Sequence, residues 1–254
     1  MSLPLLRPAW AMPPGVGAAM SLREGGVSDG AYTSLNLGVA VDDDAEAVVE
    51  NRARFAAALG ARPVWLRQVH GTMVLRLTAE AGDAADRPAD AAWTDISGLA
   101  CTVQVADCLP VLFALRDGRA VAAAHAGWRG LAAGVLEATV DALCSGAGAA
   151  PGDIQAWLGP CIGPAQFEVG ADVLQAFGQH PDGPDAQLFV RRARPDGELR
   201  WLANLQRLAQ GRLAAAGVLA VHATPACTVE DGSAFFSFRR DGVTGRMAAA
   251  IWRL

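Results

Sequence analysis

Residues 99–144 constrain the fold more than any other part of this chain. Three β-prone runs, 99–106, 109–115 and 119–125, follow one another, and Asp117-Gly118 joins the last two. An Asp-Gly pair between apolar runs is a strong short-range signal for a two-residue hairpin. With the turn there, Arg116 faces Arg119, and pairing outward brings Pro110 opposite His125. Cys108 lies two residues beyond Pro110, so the period of two puts Cys108 and His125 on one face as diagonal neighbours. Pro110 has no N–H for the ladder, so pairing is expected to end there, with Cys108 at a sheet margin. A helix from Gly130 to Cys144 follows, closed by Gly146, Gly148 and Pro151.

Elsewhere, 45–59 carries helix formers throughout and stops at Gly60, and strands at 64–69 and 72–77 flank His70-Gly71. Residues 79–92, rich in Ala, Asp and Gly, read as a loop or frayed helix. A strand fits 154–158, followed by a Gly/Pro loop at 159–164. Helices fit 170–177 and 203–216, strands fit 187–191, 219–222 and 246–252, and 179–187 is a polar surface loop. There is no internal repeat, long linker or strict βαβ rhythm. Residues 1–254 are therefore expected to form one α+β domain with mixed sheets.

Composition removes several classes of function. The 254 residues are 52% hydrophobic, enough for a sizeable core, and the net charge is −5 without a basic block. Neither nucleic acid nor an anionic membrane is an expected partner. Pro4, Pro8, Pro13 and Pro14 interrupt the N-terminus, so no signal peptide is read there, and no apolar run is long enough to span a bilayer. The expected location is the cytoplasm. All 21 basic residues are Arg. That excludes a Schiff-base or P-loop lysine, and any phosphate must be held by Arg forks or backbone N–H groups. The five Cys are scattered without a CxxC, which argues against a disulfide framework.

In PVWLRQVHG, alternation puts Val64, Leu66, Gln68 and His70 on one face, with Gly71 beside the His. His70, Cys108 and His125 together make three protein ligands, the count of a catalytic zinc site whose fourth position is left to water. Other readings of the same residues stay open. Each can be a packing residue, and two His with one Cys also suit copper. Cys108 and His125 alone make a thiolate and its base. A fourth protein ligand would close the site into a metal-stabilised binding module, but none has obvious spacing, and Cys101 lies on the far side of a strand.

The stretches LRQVHG (66–71), ADCLPVLFA (106–114), AAAHAGWRG (122–130), GPCIGPAQFEVG (159–170) and SFRRDGVTGR (237–246) occur in this order. With REGGVS (23–28), SLNLG (34–38), ENR (50–52) and ACT (226–228), they closely resemble the YfiH/YlmD family, also called laccase-domain or polyphenol-oxidase-like. The resemblance covers nearly the whole chain. The chain departs from it at Val41-Asp42-Asp43, where the family usually has Gly-Asp-Asp, and at Phe238, where Tyr is frequent. The resemblance implies two mixed β-sheets packed face to face with flanking helices, an α/β/β/α sandwich. It also implies one zinc per chain on His70, Cys108 and His125, with copper less favoured. The activities it implies are phosphorolysis of adenosine, inosine and methylthioadenosine and hydrolytic deamination of adenosine. Bacterial members are also linked to editing of peptidoglycan precursors.

Four His are too few for the several copper centres of a laccase, so an oxidase reading fails on ligand count. The H-x-E…PCxxC pattern of zinc deaminases is absent, so any deaminase similarity is convergent. Asp107 is a candidate acid, although alternation turns it away from Cys108's face unless the strand has already ended. Phosphorolysis needs an anion clamp, for which Arg52, Arg129 at a helix start and Arg239 in SFRRDG are candidates. Gln68 is a candidate for a purine edge or for orienting a metal-binding His. Asn36 and Ser237 follow from the resemblance alone, and Trp128 is read as core or cleft wall. The expected partners are purine nucleosides and phosphate, with the chain a monomer or weak homodimer. The competing readings are a cysteine hydrolase acting on an amide such as a peptidoglycan precursor, and then the binding module.

Overall fold

The computed structural model describes residues 3–80 and 84–254, with the backbone alone at 84–86. From the N-terminus the elements are β1 (Leu5–Leu6), β2 (Val16–Ser21), α1 (Ala45–Leu59), β3 (Arg62–Val64), β4 (Leu66–Arg67) and β5 (Val74–Arg76). Then come β6 (Ala84–Pro88), β7 (Ala91–Thr94), β8 (Leu99–Val105), β9 (Leu109–Leu115), β10 (Val121–Ala126), α2 (Trp128–Ala133) and α3 (Val135–Ala147). The next are β11 (Ile154–Leu158), β12 (Glu168–Val169), α4 (Ala171–Ala176), β13 (Phe189–Ala193) and β14 (Leu199–Ala203). Last are α5 (Leu205–Ala215), β15 (Ala220–Ala223), α6 (Phe238–Asp241) and β16 (Met247–Arg253).

Strands β9 and β10 read LPVLFAL and VAAAHA and are buried along their whole length. Strands covered on both faces lose the apolar/polar alternation of a half-exposed strand. His125 is the single polar side chain in β10. The two strands sit inside a six-stranded sheet of order β15-β11-β9-β10-β7-β5, opposed by a five-stranded sheet of order β1-β2-β16-β8-β3. Both sheets are mixed, since β3/β8, β5/β7 and β11/β15 pair in parallel while β9/β10 and β16/β8 pair antiparallel.

Met20, Val103 and Ile251 of one sheet meet Leu112, Val121 and Trp157 of the other in the shared core. Each such side chain contributes roughly 1.5–3 kcal/mol on burial. On the outer faces, Phe55 and Leu59 of α1 cover Ala19, Ala250 and Trp252. Leu136, Val140 and Leu143 of α3, with Leu208 and Leu213 of α5, cover Val111, Phe113 and Ala122. The result is the expected helix–sheet–sheet–helix sandwich. A small sheet, β12-β14-β13, and a short pair, β4-β6, add to it.

The hairpin register is the one the Asp-Gly turn predicts, with His125 opposite Pro110. Strand β10 starts two residues later than expected, and Gly118 takes the left-handed backbone of the turn at φ 73°. Helix α1 starts on an Asp44 cap that accepts from the N–H groups of Glu46 and Ala47, and ends at left-handed Gly60 as predicted.

Other expectations shift. The single helix over 130–144 is two helices, because Gly134 adopts φ 99° between α2 and α3. The strands over 64–69 and 72–77 are shorter pieces. The stretch 79–92 contains β6 and β7 rather than a loop or frayed helix, while 81–83 lie outside the described residues. Ala-rich β7 has weak intrinsic preference and becomes a strand because β10 and β5 flank it. Strands β2 and β14, which no pattern signalled, fill sheet positions in the same way.

Candidate metal centre and its cavity

A cavity of about 700 Å³ opens where β8 and β10 end and β9 begins. The chain crosses from one large sheet to the other there, and Cys108 lies on the crossing. His125 comes from the end of β10 and His70 from the loop between β4 and β5. Their ligand atoms all lie within 4.8 Å of one another. The two imidazoles meet edge to face with centroids 4.7 Å apart, and Cys108 Sγ is 3.7 Å from His70 Nε2.

One fully buried carboxylate organises all of this. Asp90 Oδ1 accepts from His125 Nδ1 at 2.8 Å and from the His70 N–H at 2.9 Å. Its Oδ2 accepts from the N–H groups of Val69 at 3.1 Å and Gly71 at 2.7 Å. With Nδ1 engaged, His125 keeps Nε2 for a ligand, the usual carboxylate–histidine arrangement behind a metal. The Asp90 clamp also holds His70 at φ 60°. A left-handed non-glycine backbone costs about 1–3 kcal/mol and persists only where its surroundings impose it.

Gly127, the residue before α2, makes room for the group. A Cβ there would come within 2.7 Å of His70 Cδ2 and 3.0 Å of Cys108 Sγ.

The electrostatics single out one of the five thiols. Burial pushes the Cys108 thiol up, but the charge and hydrogen bonds of His125 and His70 outweigh it and bring it down to about 6. Burial likewise works against a charged His125, and the charges of Cys108 and Asp90 overcome it and raise the imidazole to about 9. Burial alone would raise Asp90, yet its bonds to His125 and the loop hold it below the ordinary carboxylate value. Cys101, Cys144 and Cys161 are instead raised, chiefly by burial. A thiolate beside two imidazole nitrogens is a donor set that can hold a metal ion, and among the described residues it is the one such group of three.

The other predicted residues divide sharply. Arg52, Gln68, Asp107, Arg129 and Arg239 line the cavity; Asn36 and Ser237 do not. Asn36 is buried and bonds to Gly38, Asp43 and the Arg246 N–H, and Ser237 caps α6 through the Arg240 N–H. The Asn36 amide is filled by these bonds, and Ser237 is fully buried at its helix cap.

Gln68 binds the Gln104 backbone at both ends, at 2.8 and 2.7 Å, so it fixes the cavity wall rather than an imidazole. Asp107 sits beyond the end of β8 at φ 89°, accepting from Thr228 Oγ1 and the Arg239 N–H, each at 2.6 Å. With both oxygens already engaged, it joins three segments and is poorly placed to hand over a proton.

Arg129 is exposed and stacks on Trp128, 4.4 Å from the ring centroid, at the start of a helix of six residues. Arg52 donates to the Leu37 carbonyl and lies 4.0 Å over the Trp65 ring. Arg239 reaches the Glu168 carbonyl at 3.1 Å.

Sequence reasoning missed Asp90 and Arg246. A lone acid in the small apolar run ADAAW was the available signal for the first. The second hid in GVTGR, where a surface role is the default.

A family model described as Multi-copper polyphenol oxidoreductase laccase matches residues 17–254. A purine nucleoside phosphorylase of Pseudomonas aeruginosa is 50% identical over 249 residues, covering 97% of each chain. The purine nucleoside phosphorylase YfiH of Escherichia coli is 48% identical over 250 residues, covering 98% of each. Among solved structures, a Neisseria meningitidis protein of the DUF152 family model matches with TM-score 0.87 and 44% identity over 98% of both chains. YlmD from Geobacillus stearothermophilus matches with TM-score 0.87 and 34% identity, over 98% of this chain and 96% of that one.

Proposed function

The chain belongs to the multi-copper polyphenol oxidoreductase laccase family, that of YfiH and YlmD, and from that premise we propose that it is a zinc-dependent purine nucleoside phosphorylase. The observation that carries the reading is the convergence of His70, Cys108 and His125 at the end of a cavity of about 700 Å³. That volume lies in the usual range for small-molecule sites. The naming of relatives at 50% and 48% identity supports the same chemistry.

In phosphorolysis a phosphate oxygen forms a bond to ribose C1′ as the bond from C1′ to the purine nitrogen breaks. The electron pair leaves with the purine, which takes up a proton. His70, Cys108 and His125 would hold the zinc, which would supply Lewis-acid charge at that end of the cavity. The chain's own residues orient and enclose. Asp90 keeps His125 Nε2 turned inward, Gln68 braces the wall through Gln104, and Trp65 and Trp128 give flat apolar surface beside the Arg residues.

Zinc fits better than copper. Blue-copper sites commonly add a weak axial Met or Gln to two His and one Cys; among the described residues no Met lines this cavity, and the Gln68 amide is engaged elsewhere. The multi-copper description does not transfer either, since one group of three donors cannot hold several coppers. Methylthioadenosine phosphorolysis and hydrolytic deamination of adenosine are proposed for the same centre. No described helix is long and apolar enough to cross a membrane, and the cytoplasm is the proposed location.

The test is product analysis on adenosine, inosine and methylthioadenosine, with and without phosphate, beside elemental analysis. The expected result is free base only with phosphate, inosine from adenosine without it, and about one zinc per chain. A zinc-loaded protein that yields neither product defeats the proposal.

A second reading rests on one specific observation. Asp90, His125 and Cys108 also form the orienter–base–nucleophile chain of a cysteine hydrolase, with amides as substrates. Amide hydrolysis that survives complete removal of metal would favour it.

A further inference from the structure

Among the described residues, the cavity is lined by five Arg, at 52, 67, 129, 239 and 246, and by one acidic residue, Asp107. Both Asp107 oxygens are engaged by Thr228 and the Arg239 backbone. Among the described residues, Arg67, Arg129, Arg239 and Arg246 make no ion pair. Cationic side chains that share a cleft without acidic partners concentrate anions there.

Burial sorts the five. Arg67, Arg129 and Arg239 are exposed, whereas Arg52 and Arg246 are half-buried. One short segment, Asn36–Gly38, holds the latter two together. Arg52 Nε donates to the Leu37 carbonyl at 2.9 Å, and the Leu37 N–H donates to the Arg246 carbonyl at 3.0 Å. The Arg246 N–H donates to Asn36 Oδ1 at 2.8 Å, and a Cβ on Gly38 would lie 2.7 Å from Arg246 Cγ.

The Arg246 head is pinned at one nitrogen. Its Nη1 donates to the carbonyls of Thr244 and Gly245, each at 3.0 Å. The Nε–Nη2 edge makes no hydrogen bond among the described residues and is not sealed from solvent. That edge is the planar fork that matches two oxygens of one phosphate. Burial disfavours the charge on this group, while the charges of Cys108 and Asp107, which line the same cavity, favour it.

We propose that Arg246, with Arg52 beside it, holds a phosphate dianion next to His70, Cys108 and His125. Arg129 at the exposed helix start then has a minor role. The inference rests on the phosphorylase reading for its chemistry but not for its binding test. Inorganic phosphate and the 5′-phosphate of a nucleotide share the chemistry that this fork recognises.

The experiment compares zinc-loaded wild type with Arg246→Met and Arg246→Lys. Phosphate and AMP are titrated separately by calorimetry, adenosine serves as the neutral control, and zinc content and melting temperature are measured alongside. Loss of a charged bidentate contact is expected to weaken binding by about 10- to 100-fold in Arg246→Met. Adenosine affinity and zinc content should stay within about 2-fold of wild type, and Arg246→Lys should recover part of the loss. The KM for phosphate should rise with the same ranking. Weakening confined to inorganic phosphate assigns the co-substrate, and weakening confined to AMP assigns a nucleotide's own phosphate; both support the clamp. Unchanged binding of both anions in the folded variants overturns it, as does a wild type that binds neither. Should Arg246→Met fail to fold, Arg246→Lys with full affinity for both anions is equally fatal. Arg246-dependent phosphate binding without free base from adenosine would sink the phosphorylase reading and leave the clamp standing.

Discussion

At the metal end of the cavity, the buried Asp90 and His125 and the half-buried Cys108 answer one another's charge, and the exposed His70 is tied in through its N–H to Asp90 and its ring to Cys108. Along the wall, Arg67, Arg129, Arg239 and Arg246 make no ion pair among the described residues, and the one described carboxylate lining it is already engaged. The first region is complete without a ligand except for what three donors can coordinate. The second is cationic and open to solvent, where an anion can bind. A buried network must be satisfied internally because leaving any member unpaired is costly, whereas an exposed guanidinium can wait in water at little cost. The difference separates a part that must not move from a part that selects what enters.

Changes at the metal end should therefore have the largest effects. Cys108→Ala is expected to remove the metal and abolish turnover with little loss of fold; full zinc content by elemental analysis would break the assignment. Asp90→Asn turns an amide N–H toward the N–H groups of Val69 and Gly71 and weakens the hold on His125. Zinc affinity should fall by about 10- to 100-fold in a chelator competition. Gly127→Ala pushes a methyl against His70 and Cys108. Overpacking of this kind costs about 1–3 kcal/mol, read as roughly a 10-fold loss of zinc affinity with the fold retained by circular dichroism. On the wall, Arg129→Ala should shift stability by no more than about 0.5 kcal/mol in urea unfolding. It should also raise the KM for phosphate less than the Arg246 variants do. A larger effect at Arg129 than at Arg246 would reverse the ranking within the wall.

Cys108 and His125 were legible because both belong to one hairpin, whose register follows from Asp117-Gly118 and the period of two. His70 was legible as a residue but not in its geometry. The strand that was to carry it stops at Arg67, and a left-handed backbone turns it inward instead. Asn36 and Ser237 were marked by motif resemblance and lie off the cavity lining, bonded within the scaffold. Gln68 was placed on the cavity wall, but its bond to a main chain 36 residues away was not legible in the sequence. Asp90 had no periodic context, because small Ala neighbours fit a strand or a loop equally well.

By itself the sequence determined an α+β domain with mixed sheets, the apolar central strands and the hairpin that brings a thiol near an imidazole, all of which rest on local periodicity and turn chemistry; the sandwich was implied by the motif resemblance. Only the tertiary structure decided that Asp90 clamps the His125 imidazole and the His70 backbone together, that Asp107 is bound on both oxygens, and that one segment, Asn36–Gly38, holds both Arg52 and Arg246. Those contacts join residues far apart in the chain through hydrogen bonds of specific direction. Direction in space depends on how the two sheets and their loops come to rest against each other, which no single segment encodes.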